Sequence, residues 1–221
     1  MNAGQLVKGP RFDCRRRVGS PRQAVSIHNL RNVDELILLD IGATPNGTGP
    51  DFETIRSVTD IAFMPLTVGG GVRSLDDIHD LLNAGADKVS IRTAIELIEP
   101  GARKFGSQCI VASIDAKPGQ VPVKLAQEVE RRGAGEILLT SVARDGTFEG
   151  YDLELIRSVS AAVSIPVIAS GGCGDYRHMA DALNAGAHAV AASSIFLFTE
   201  ATPKGAAEYL SAKGFHMRLA A

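Results

Sequence analysis

Leu81–Ala94 reads LLNAGADKVSIRTA, and Ala182–Ile195 reads ALNAGAHAVAASSI. Asn83 and Asn184 stand 101 residues apart, as do Gly70 and Gly171 within the clusters PLTVGGGVRS (Pro65–Ser74) and PVIASGGCGDY (Pro166–Tyr176). A third pair, ELILLDIGATPNGTGPDFE and EILLTSVARDGTFEGYDLE, recurs one half-length on. Short β-branched runs alternate with helical periodicity across the chain, which admits an open doubly wound sheet or a closed (β/α)8 barrel. The repeat decides between them. Two four-unit halves make an eight-stranded barrel, whereas a doubly wound sheet has no reason to repeat an internal unit this closely.

Working outward, strands are expected at 36–41, 65–68, 88–91, 109–114, 136–141, 166–169 and 189–192. Helices are expected at 21–30, 52–59, 75–84, 95–104, 122–132, 153–162, 176–185 and 203–212, with Ser74, Asp152 and Asp175 as N-caps. Eight helices against seven strands leave the first barrel strand missing from the chain as written. Its two neighbours would then carry unpaired edge groups, and self-association or a start further upstream is expected. The whole chain, 1–221, is read as a single (β/α)8 phosphate-binding domain.

Composition narrows the classes. The 221 residues are 45% hydrophobic and 22% charged, with a net charge of −2, so no global field invites nucleic acid. No apolar run approaches the ~20 residues of a membrane span, and no signal peptide is evident, which points to a cytoplasmic protein. Cys14, Cys109 and Cys173 form neither a disulfide framework nor a zinc pattern. The basic run Arg15–Arg17 could touch an anion or be a solvated surface. Nothing calls for a metal or a cofactor, and none of the histidines, His28, His79, His178, His188 and His216, falls where chemistry is expected.

In such barrels, function gathers where strands end and βα loops begin. Gly69, Gly70 and Gly71 follow one strand; Gly171, Gly172 and Gly174 follow its repeat. Glycine there lets backbone N–H groups approach phosphate oxygens at a helix start, or it relieves crowding in a tight turn. In each half the next strand ends in small polar residues, Ser90 and Thr93 in the first, Ser193 and Ser194 in the second. Two such devices imply a ligand with a phosphate at each end. Asp115 closes IVASID and is the candidate acid/base group; Asp40 and Asp145 end or follow other strands, where an aspartate can also be a cap or loop anchor.

The segments DELILLDI, PLTVGGGVRS, AGADKVSI, FGSQCIVASIDAK, GAGEILLTSVARDGTFEGYDLELI and IPVIASGGCGDYRH resemble the cyclase subunit of imidazole glycerol phosphate synthase. The resemblance covers nearly the whole chain. It implies a half-barrel-duplicated (β/α)8 lyase of histidine biosynthesis that takes ammonia from a glutaminase partner. Its substrate is a bisphosphorylated phosphoribulosyl-formimino aminoimidazole carboxamide ribotide, and it releases imidazole glycerol phosphate. Carried over by motif, Asp115 is a catalytic aspartate. Gly71, Gly146, Gly172 and Ser194 bind phosphate, and Asp145 lies beside the second phosphate. Lys88 and Glu136 gate ammonia entry, and Asp87 faces the glutaminase.

Three departures accompany the match. The family's first-strand catalytic aspartate would directly precede the stretch matched by NAGQLVKG (Asn2–Gly9). The asparagine that helps hold a phosphate is Arg92 here. The hairpin insertion after the fifth strand is reduced to KPGQVP (Lys117–Pro122). The stretch from Val18 to Phe52 also resembles a paralogous group that delivers ammonia to a sugar in surface-polysaccharide synthesis, and a barrel without activity is the remaining alternative.

Overall fold

The computed structural model describes residues 1–13 and 16–218. The chain opens with a ribbon of β1 (Leu6–Lys8) and β2 (Arg16–Gly19). Then follow α1 (Pro21–Leu30), β3 (Leu36–Leu39), α2 (Phe52–Thr59), β4 (Leu66–Gly69), α3 (Leu75–Asn83), β5 (Lys88–Ile91), α4 (Ile98–Phe105) and β6 (Ile110–Ala116). The remainder is α5 (Val123–Arg131), β7 (Glu136–Ser141), α6 (Leu153–Ser160), β8 (Val167–Ser170), α7 (Tyr176–Asn184), β9 (Ala189–Ala191), α8 (Ser194–Phe198) and α9 (Pro203–Ala212). The seven strands β3 to β9 alternate with helices as the (β/α)8 class requires.

Contacts divide the chain into two compact units. The first holds Met1–Val7, Arg17–Ser113 and Val129–Glu136; the second holds Lys8–Arg16, Ile114–Glu128 and Ile137–Ala221. In the first, β3 pairs with β4 (Leu36 opposite Leu66), β4 with β5 (Val68 opposite Val89) and β5 with the start of β6 (Val89 opposite Ile110), all parallel. In the second, β7, β8 and β9 pair in the same sense (Ile137 opposite Val167, Ile168 opposite Ala189). Leu66, Thr67 and Val68 of β4 and the run from Ile137 to Ser141 of β7 are buried residue after residue, which is why these runs lack alternation.

Each unit buries its own core. In the first, Val58, Leu66, Ile78, Val89, Ile98 and Ile110 are essentially inaccessible. In the second, Ile156, Ala169, Met179, Ile195 and Leu210 fill the corresponding volume. Burying a side chain of this size stabilises the fold by roughly 1.5–3 kcal/mol. α3 shows the pattern in small: Ile78 and Leu81, three apart, face inward, while Asp76, His79 and Asp80 face water.

The internal repeat is structural to the level of single hydrogen bonds. Asp51 and Asp152, 101 residues apart, each cap a helix by accepting from the N–H three residues on, Thr54 at 3.0 Å and Leu155 at 3.1 Å. Ser74 accepts from Asp77 N–H at the start of α3 and Asp175 from Arg177 N–H at the start of α7, so all three caps expected from sequence are present. The differences from expectation are short elements. The β1–β2 ribbon and five-residue α8 are too brief for periodicity to reveal. The helix expected from Ile95 begins as a 3-10 turn, Ile95–Leu97, and becomes α-helical at Ile98. Pro100 explains the break: it has no N–H, and the first helical turn is where none is needed. KPGQVP is a tight turn closed by Gln120 N–H donating to Lys117 C=O at 3.0 Å. Among the described residues, no helix is long and apolar enough to cross a membrane.

Candidate active site

The paired glycine turns have a steric cause. Gly70 and Gly71 adopt φ of 106° and 75°, Gly171 and Gly172 φ of 93° and 105°, a region that favours glycine. A Cβ on Gly70 would lie 2.2 Å from the carbonyl oxygen of Asp40, and one on Gly171 2.7 Å from that of Ser141, its repeat counterpart. A Cβ on Gly71 would meet the backbone of Gly49 at 2.8 Å, and one on Gly172 the carbonyl oxygen of Gly150 at 2.1 Å. Each turn therefore lies flat on the loop after the preceding strand, backbone against backbone. Of the two sequence readings, relief of crowding holds in both halves.

In the second unit the loop after β7 meets the loop between β1 and β2. Lys8 Nζ donates to both carboxylate oxygens of Asp145, at 2.8 and 2.9 Å, and Arg11 N–H donates to the Asp145 carbonyl at 2.7 Å. Asp145 is 7% exposed, and its two hydrogen bonds from Lys8 replace the hydration lost on burial. A cavity of about 380 Å³ opens between the two loops, lined by Lys8, Gly9, Arg16, Gly146, Phe148, Ser194 and Phe198 among others. That is the size of a small-molecule site. Arg16 lies over the Phe198 ring with its guanidinium carbon 4.4 Å from the centroid. Arg15 and Cys14 lie outside the described residues, so of the basic run Arg16 alone is placed at this cavity.

A second cluster sits in the first unit at the strand starts. Lys88 Nζ donates to Glu136 Oε1 at 2.7 Å and to Glu35 Oε2 at 3.0 Å. Burial works against the Lys88 ammonium, but its hydrogen bonds to Glu136 and Glu35 and their charges outweigh it and raise the pKa above the ordinary 10.5. Glu136 Oε2 is buried without a hydrogen-bond partner among the described residues. Asp87, one residue earlier, accepts from Leu66 N–H at 2.8 Å. Its repeat counterpart is His188, whose Nδ1 accepts from Val167 N–H at 3.3 Å. Lys88→Met removes the cation partner of part-buried Glu136 and of more exposed Glu35 and is expected to cost about 1–2 kcal/mol near neutral pH. The raised pKa means that Lys88 stabilises the wild type fully below pH 10.5 and progressively less as pH passes through the raised value. Urea denaturation at pH 7 and pH 11.5 checks both points: the deficit of the variant should narrow at the higher pH.

A sequence model of the family described as "Histidine biosynthesis protein" matches residues 1–202. The chain belongs to that family. The imidazole glycerol phosphate synthase subunit HisF of Clostridium botulinum (strain Okra / Type B1) is 41% identical over 242 residues, which cover 99% of this chain and 96% of the relative.

Within the histidine biosynthesis family frame, the expected residues fall as follows. Asp145, Gly146 and Ser194 come together around the second-unit cavity or its anchor. Gly171 joins them, since a Cβ there would lie 3.4 Å from Asp145 N. Gly172 packs on Gly150, and Ser193 stands at the start of α8. In the first unit Gly70 and Gly71 lie on the Asp40 and Gly49 backbones, while Arg92 and Thr93 are exposed just after β5. Asp115 is the penultimate residue of β6, half-buried between buried Ile114 and Ala116. Cys173, inside the second glycine turn, is pushed up to about 11 by burial, so its thiol stays protonated and is no nucleophile. Sequence reading alone did not single out Lys8, Glu35, Phe148 or Phe198. Lys8 and Glu35 gain meaning only from partners 137 and 53 residues away.

Proposed function

We propose that this chain is the cyclase subunit of an imidazole glycerol phosphate synthase in histidine biosynthesis. It would use ammonia from a glutaminase partner to convert the bisphosphorylated formimino ribotide to imidazole glycerol phosphate and aminoimidazole carboxamide ribotide. The observation that carries the reading is the 41% identity to a synthase subunit across 99% of the chain. The doubled glycine turn supports it, because a substrate with a phosphate at each end needs two anion sites related as the halves are.

In this reading Gly70, Gly71, Arg92 and Thr93 take one phosphate. Asp145, Gly146, Gly171, Gly172, Ser193 and Ser194 frame the other, with Arg16 on the cavity wall supplying positive charge. Backbone N–H groups bind the dianion without changing protonation, so the clamps hold substrate while chemistry proceeds between them. Asp115 is the acid/base group, passing protons as ammonia adds and the imidazole ring closes. Lys88, Glu136 and Asp87 form the ammonia entry and the face toward the glutaminase.

A second reading is supported by Arg92. A guanidinium in place of the family asparagine is longer and binds phosphate bidentately, which would displace a substrate held at both ends. Together with the shortened loops it favours the paralogous role of supplying ammonia for sugar amidation. One measurement separates them. The first reading expects imidazole glycerol phosphate to accumulate when the folded protein is given the formimino ribotide and ammonium salt. Absence of that product in a folded sample that binds phosphate would leave the paralogous role.

A further inference from the structure

The two halves differ at one pair of positions in a way the repeat makes visible. Gly47 has φ of 65° and Phe148, its counterpart 101 residues on, has φ of 66°. The same left-handed turn is thus built once with the residue that tolerates it and once with a bulky aromatic that does not. Across from each, the partner residue is exchanged. In the first half, Arg73 stands at the third position of its turn region and its Nη1 donates to Gly47 C=O at 3.1 Å. In the second half the corresponding residue is Gly174, where a Cβ would lie 2.3 Å from Phe148 O and 2.7 Å from Phe148 Cβ. A large residue over a glycine has become a glycine under a large residue.

Nothing in the backbone requires phenylalanine at 148, since glycine serves the same turn one repeat earlier. Its ring is 36% exposed, on the wall of the second-unit cavity. Phe198, likewise part-exposed beneath Arg16, lines the same space, and Phe12, at φ of 64°, is on the adjoining loop. Left-handed non-glycine residues kept at a ligand cavity are the pattern of strain retained for binding.

We propose that Phe148 is a specificity-determining residue: its ring forms the wall against which the planar body attached to a bound phosphate packs. This distinguishes the second-half phosphate site from the first, where the equivalent residue is Gly47 and carries no side chain. The inference rests on the cyclase reading for the identity of the ligand and adds to it a residue that tells a phosphate ester from phosphate itself. Arg16 serves any phosphate; the aromatic wall serves only one that carries a flat group.

The test is Phe148→Gly, measured by calorimetric binding of inorganic phosphate and of imidazole glycerol phosphate, with thermal melting alongside. Affinity for the imidazole ester is expected to fall about 10-fold, as loss of one stacking face does. Affinity for inorganic phosphate should change less than about 2-fold, and the melting midpoint should hold or rise by up to about 4 °C as the left-handed strain is relieved. Phe148→Tyr should restore ester binding. Unchanged ester affinity in Phe148→Gly overturns the proposal, as does an equal loss for both ligands with a lower midpoint, which would make Phe148 a structural wall. If the wild type binds neither ligand, the cyclase reading itself fails and this inference with it.

Discussion

Asp115→Asn is expected to lower ammonium-dependent turnover by about 10²- to 10⁴-fold, the range over which a positioned proton-transfer group contributes. Asparagine matches aspartate in size, so the flanking Ile114 and Ala116 keep their buried places and β6 keeps its register. What is lost is a group able to take up and release a proton. The affinity for inorganic phosphate should therefore stay within about 3-fold of wild type, and the melting midpoint within about 2 °C. Steady-state rates with the formimino ribotide, set beside phosphate binding, give the answer. A variant retaining more than a tenth of wild-type turnover would remove Asp115 from acid–base work.

The largest stability effect is expected at Gly172. Alanine there meets the Gly150 carbonyl oxygen at 2.1 Å, on backbone rather than on a side chain that could swing away, and φ is 105°. The same two segments are tied by Gly150 N–H donating to Gly172 C=O at 2.8 Å, so relief means breaking that bond. Gly172→Ala should cost about 3–5 kcal/mol, lowering the melting midpoint by roughly 10 °C. Gly119→Ala is the internal comparison. Its φ of 76° carries the same backbone penalty, but nothing lies within 4 Å of the added Cβ, so it should cost only about 1–2 kcal/mol. Equal midpoints for the two variants would mean that the backbone approach at Gly172 is not as close as described.

The pair also shows how two glycines indistinguishable in a sequence differ in kind. Both read as turn residues, yet only one is required by a neighbour 22 residues away. The sequence clusters at Gly70 and Gly171 were legible because they repeat, and repetition is a pattern in one dimension. What glycine is there for, a close carbonyl or a bound anion, is a question about three-dimensional neighbours.

The sequence by itself determined the alternation of strand and helix, the duplication at a step of 101, the helix caps and the family. Each of these is written in local spacing, because periodicity and capping act over a few residues and duplication copies them in register. Tertiary structure decided the rest. Only folding brings Lys8 to Asp145 and Glu35 to Lys88, and only the folded backbone gives Phe148 the left-handed turn of Gly47, its counterpart 101 residues earlier. Charge pairing and aromatic walls depend on distances that loop closure sets, and no local pattern records which distant residues a loop will meet.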